Sequence, residues 1–71
     1  MTRYLVVLER TSTGFGVYIP DLPGCVSTGK TREEAESNAR EAIRLHLDGL
    51  RDEGQPIPRP SSVAAYVTSA A

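Results

Sequence analysis

Residues 31–54 read TREEAESNAREAIRLHLDGLRDEG, a single amphipathic helix with both ends marked. Thr31 is placed to cap the first turn, and Glu34 three residues later completes a Thr-x-x-Glu capping box. Each of those side chains answers a backbone N–H that the first turn leaves unpaired. Glu33 and Glu34 add negative charge at the positive end of the helix dipole. Gly54 can take the left-handed conformation that closes a helix, and Pro56 prevents continuation. Ala35, Ala39, Ala42, Ile43, Leu47 and Leu50 recur at spacings of three and four and form one apolar stripe. Arg32, Glu33, Glu36, Arg40, Glu41, Arg44, Asp48 and Arg51 fall largely on the other side, with Glu36 and Arg40 spaced as an i,i+4 pair. Such a helix needs a cover for its apolar face, and the rest of the chain must supply it.

Upstream, residues 3–10 (RYLVVLER) read as a strand rich in β-branched and aromatic residues. Tyr4, Val6 and Leu8 point one way, Leu5 and Val7 the other. Both faces are apolar, as for a strand covered on two sides. Residues 11–14 (TSTG) form a turn, and residues 15–19 (FGVYI) a second strand, giving an antiparallel hairpin. Pro20-Asp21-Leu22-Pro23-Gly24 then breaks the pattern, with Pro23-Gly24 suited to a type II turn. Residues 25–28 (CVST) form a short third strand, and Gly29-Lys30 lead into the helix cap. After the helix, Pro56, Pro58 and Pro60 make a stiff, extended connector. Residues 62–67 (SVAAYV) read as a fourth strand, and residues 68–71 as a frayed tail.

The order β-β-β-α-β predicts an α+β fold. Three antiparallel strands come first, a helix crosses one face of the sheet right-handedly, and the last strand returns beside strand one. The strand order would be 3-2-1-4, with strand one central. One helix covers one sheet face, so part of the set Leu5, Val7, Tyr18 and Tyr66, or of the opposite set, stays uncovered. An uncovered apolar sheet face on a small domain points to a partner.

Seventy-one residues make one small domain. Chains this short bury only about 60% of their unfolded surface and usually need a staple. The single Cys25 excludes an internal disulfide, and one His with one Cys make no metal site. Association with another chain is the remaining staple. A net charge of −1 argues against direct nucleic-acid binding, which needs a concentrated basic face. No apolar run is long enough to span a membrane and no leader pattern precedes strand one, so a cytoplasmic location is expected.

Catalytic candidates are few. His46 lies on the apolar stripe without an orienting partner, and a half-buried packing histidine is the better reading. Cys25 lacks a neighbouring base and reads as a small packing residue. Asp21 is either a partner contact or a turn former bonded to its own backbone. Tyr4, Tyr18 and Tyr66 lack the flanking basic cluster of an RNA-stacking sheet, so packing or a protein interface is favoured. No cofactor and no enzymatic activity are expected.

The ordered combination of YIPDLPGC (18–25), TGKTREEA (28–35), NAREAIRLHL (38–47) and GQPIP (54–58) resembles the N-terminal domain of HicB-type antitoxins, which also occur as small HicB-like proteins. The likeness spans residues 3–67. It implies a partial RNase H-like fold and cytoplasmic binding to a HicA-type toxin, a small, basic, RNA-cleaving protein whose catalytic surface the antitoxin covers. It also implies self-association into dimers or higher oligomers. Many such antitoxins carry a C-terminal operator-binding domain. Residues 1–71 read as a single HicB-like domain without one, so DNA binding is not carried over. RNase H-like nucleases hold metal on carboxylates of the first strand, the helix and the fourth strand, but here strand one is Tyr-Leu-Val-Val-Leu and residues 62–67 contain no acid. The expected partner contacts are Tyr18, Pro20, Asp21, Leu22, Pro23 and Gly24, an irregular loop held by a rigid sheet. The alternative reading is a homo-oligomer with no toxin partner.

Overall fold

The computed structural model describes residues 2–71. It contains three strands, β1 (Val7–Arg10), β2 (Phe15–Tyr18) and β3 (Val26–Gly29), followed by one helix, α1 (Arg32–Asp52). The sheet is antiparallel in the order β1-β2-β3. Val7, Tyr18 and Val26 lie in one cross-strand row, and Leu8, Val17 and Ser27 in the next.

The helix forms as its termini dictate. Thr31 is the N-cap, and its hydroxyl accepts a hydrogen bond from the Glu34 N–H at 3.1 Å. The Glu34 carboxylate reaches back to the Lys30 N–H at 3.2 Å, one residue earlier than a standard capping box requires. At the other end Gly54 has φ 68°; its N–H bonds the Arg51 carbonyl at 3.0 Å and the Gln55 N–H bonds the Leu50 carbonyl at 2.8 Å. That pair of bonds is a Schellman closure. On the outer face Glu36 pairs with Arg32 at 3.2 Å, not with Arg40 as its spacing first suggests. Arg44 pairs with Glu41 at 2.6 Å and with Asp48 at 3.2 Å, and Asp48 also takes Arg51 at 3.3 Å.

The stripe packs over β3 and β2. Ala35 and Ala39 are buried with Val17, Ile19, Leu22 and Cys25. Tyr4, Val6, Leu8, Phe15, Ala42, Ile43 and Leu47 pack around them. The small residues at the start of the stripe set the depth of contact. A Cβ built on Gly29 would stand 2.6 Å from the Ala35 Cα, so only glycine lets β3 run this close beneath the helix.

Strand one is shorter than its composition suggests. Its ladder ends at Val7 because β2 ends at Tyr18. Beyond that point the Ile19 N–H turns to the Cys25 carbonyl at 3.3 Å, and Pro20 has no N–H to give. The larger difference concerns the fourth strand. Residues 62–67 make no ladder with β1, so β2 is the central strand and β1 an edge. Two side-chain contacts fix where this segment leaves the body. The Tyr4 hydroxyl donates to the Pro58 carbonyl at 2.6 Å, and Asp21 binds Ser61 and Ser62. From there the chain runs as an exposed arm, separated from β1 by an open groove of about 530 Å³ lined by Leu5, Val6, Val7 and Leu8 on one side and Val63, Ala64, Ala65 and Tyr66 on the other.

Candidate protein-binding surface

The loop between β2 and β3 consists of two successive tight turns. The Leu22 N–H bonds the Ile19 carbonyl at 3.0 Å, and the Cys25 N–H bonds the Leu22 carbonyl at 3.0 Å. Pro23 and Gly24 occupy the central positions of the second turn, where Gly24 has φ 83°. This is the type II turn that the Pro-Gly pair predicts. The two turns drive Leu22 inward and leave Pro20, Pro23 and Gly24 at the surface.

The six residues expected to touch a partner therefore divide by position. Tyr18 (42% exposed), Pro20, Pro23 and Gly24 are surface residues. Leu22 is 0% exposed and belongs to the core. A Leu22→Asp exchange would bury a charge and test the fold rather than the surface. Asp21 is engaged within the chain. One carboxylate oxygen accepts from the Ser61 and Ser62 N–H groups at 2.9 and 3.0 Å, the other from the two hydroxyls at 3.1 and 2.8 Å. These donors, the Ser62 N–H foremost, pull the Asp21 pKa down to about 2. Asp21 is thus a clamp across 40 residues of sequence, an option beyond a partner contact or a local turn.

The sheet face away from the helix carries the apolar area. Tyr18 and Val26 (66% exposed) are neighbours across the ladder, with half-buried Val7 completing the row. Val7 and Tyr18 belong to the set expected to stay uncovered; Val26 is the residue of this row that the sequence alone does not single out. The signal for it is the period-two alternation of the third strand once its register to Tyr18 is known. Pro20 follows Tyr18 by two residues along the chain, and both are exposed.

The other candidates sit in packing positions. Cys25 is buried, and burial pushes its thiol up from the ordinary value, away from a nucleophile's requirements. His46 is half-buried on α1. Among the described residues no group of three His, Cys, Asp or Glu side chains is placed to hold a metal ion, and no helix is long and apolar enough to cross a membrane.

The comparisons with known proteins agree with this arrangement. Residues 4–71 match the family described as HicB_like antitoxin of bacterial toxin-antitoxin system. An uncharacterised 14.9 kDa protein from the rep-hol intergenic region of Haemophilus phage HP1 is 36% identical over 64 residues, covering 90% of this chain and 48% of its own length. Antitoxin HicB 2 of Photorhabdus laumondii is 38% identical over 60 residues, covering 84% of this chain and 43% of that protein. The chain thus spans about half the length of both relatives. Among solved structures, a chain of the HicA3 and HicB3 toxin-antitoxin complex superposes with a TM-score of 0.74 at 37% identity, covering 83% of this chain and 70% of that one. The sequence match, the three-stranded sheet under one capped helix and this superposition place the chain in the family of HicB-like antitoxins of bacterial toxin–antitoxin systems.

Proposed function

We propose that the protein is a non-catalytic antitoxin that neutralises a small, basic, HicA-type RNA-cleaving toxin by covering its active surface. The observation that carries this reading is the likeness to a chain of a HicA–HicB complex, taken with the open apolar row on the outer sheet face. Binding is through Tyr18, Pro20, Pro23 and Gly24, extended by Val26. Leu22 supports this surface from beneath, and Asp21 supports it through the arm. The protein acts in the cytoplasm, without cofactor, and does not itself contact nucleic acid. Residues 1–71 function as one HicB-like domain. Its partial RNase H-like sheet acquires its fourth strand, residues 62–67, only in an assembled state.

The test is co-expression with the product of the neighbouring reading frame, followed by size-exclusion chromatography with light scattering and a growth assay. A stable complex and rescue of growth are expected. Toxicity that persists beside well-folded antitoxin would reject the reading. The second reading is a homo-oligomer without a toxin. It is favoured by the uncharged, exposed residues 62–71, which no single copy covers.

A further inference from the structure

The arm and the edge of β1 are each incomplete, and each offers what the other lacks. In the arm Val63 is 88% exposed, Val67 90%, and Tyr66 is fully exposed. Residues 61–71 contain no proline and no charged side chain. The Ser61 and Ser62 N–H groups are held by Asp21, and from Val63 to Val67 each residue has an N–H to offer a ladder and nothing that repels a neighbouring strand. The exposed apolar side chains and uncharged backbone are the features of a segment that pairs promiscuously unless a specific partner takes it. The outer edge of β1 is likewise open, since its ladder is with β2 alone. Between edge and arm lies the groove, with Leu5 to Leu8 on one wall and Val63 to Tyr66 on the other.

We propose that two copies of the chain exchange arms, residues 62–67 of each entering the groove of the other. Each arm then pairs with the partner's β1 on one side and with its own twin on the other. The strand order across the pair is β3-β2-β1-arm-arm-β1-β2-β3, with a two-fold axis between the antiparallel arms. A second copy is the occupant because one symmetric step satisfies both edges and both arms, which is the closure of an isologous interface. A toxin strand in the groove would cover β1 and leave the outer side of the arm bare. A stable interface buries about 1,200–2,000 Å² in total, and the apolar side chains this one would cover, Val63, Tyr66 and Val67 of each copy, are almost wholly exposed. The Asp21 clamp on Ser61 and Ser62 aims both arms by fixing where each begins. This inference rests on the self-association part of the proposed function and not on its toxin.

The test compares the full chain with one ending at Ser62, by light scattering at tens of micromolar and by circular dichroism. Residues 63–71 lie outside the core, so the helical signal is expected to be unchanged. The full chain should be a dimer and the shortened one a monomer. In the Cys25→Ala background, Ala64→Cys or Ala65→Cys should give a disulfide-linked dimer as the main oxidised species, whereas Ser37→Cys on the exposed helix face should not. A monomeric full chain, or a dimer that survives loss of the arm, overturns the exchange. A chain that is monomeric alone but forms an arm-dependent complex with the toxin also overturns it and gives the groove to the toxin. Failure to bind any toxin leaves these outcomes as decisive as before and counts only against the antitoxin reading.

Discussion

Asp21 joins the β2–β3 loop to the base of the arm through four hydrogen bonds, and its titration reports on that join. Its pKa in the fold is about 2, below the ordinary aspartate value of 3.8. A depressed pKa means that the contribution is fully present above the unfolded value and is lost as pH falls through the folded one. The arm base is therefore expected to hold above about pH 4 and to release progressively toward pH 2. Amide exchange at Ser61 and Ser62 checks this, and Asp21→Asn should show weakened protection already above about pH 4, with the difference from the parent vanishing toward pH 2. Leu22, fully buried, behaves differently: Leu22→Ala should cost about 2–5 kcal/mol in chemical denaturation. Gly29→Ala should also destabilise, by roughly 1–3 kcal/mol, because the added methyl meets the Ala35 backbone rather than a side chain that can swing aside. At this scale the sequence was only partly legible. Pro23-Gly24 announced their turn. Leu22 did not announce its burial, because a leucine between two prolines has no periodicity from which to read a face. The Asp21 clamp was invisible, since its donors lie 40 residues away and no local pattern links them.

The helix was the most legible element because its information is local. The cap, the stripe and the closing glycine all fall within the residues they govern, and each performs the expected task. Thr31→Ala should cost about 1 kcal/mol through the lost N-cap bond, and Gly54→Ala about 1–2 kcal/mol through its left-handed φ. Thermal unfolding followed by circular dichroism measures both. The ion pairs on the outer face are exposed and contribute little to stability. The strands were legible in type and less so in extent. Their composition is right from residue 3 onward, but a ladder exists only where a partner strand is opposite, and β2 stops at Tyr18. The arm makes the same point more strongly. Residues 62–67 have strand composition, yet the strand requires a second edge that the sequence alone cannot position.

At the scale of the molecule, one helix covers one side of a three-stranded sheet, and the other side keeps Tyr18 and Val26 in the open. That an apolar sheet face would remain was legible from the count of elements, because a single helix cannot cover two faces. Its exact row was not, since it depends on register. Replacing both residues, Tyr18→Glu with Val26→Glu, should weaken toxin binding at least a hundredfold while leaving the helical signal intact, as titration calorimetry can measure. Equal affinity would move the proposed toxin interface off this face.

The charge balance of the helix surface, four arginines against six carboxylates, has a kinetic meaning. Arg32, Arg44 and Arg51 each hold an acidic partner of the same helix, and the whole chain carries a net charge of −1. Such a surface projects only a weak field, so under the proposed function it does little to draw a basic toxin in from a distance. Capture then proceeds at the unsteered rate of about 10⁵–10⁶ M⁻¹s⁻¹, nearly independent of salt. Under the proposed function, speed of neutralisation then comes from abundance, with the protein held in standing excess over its toxin.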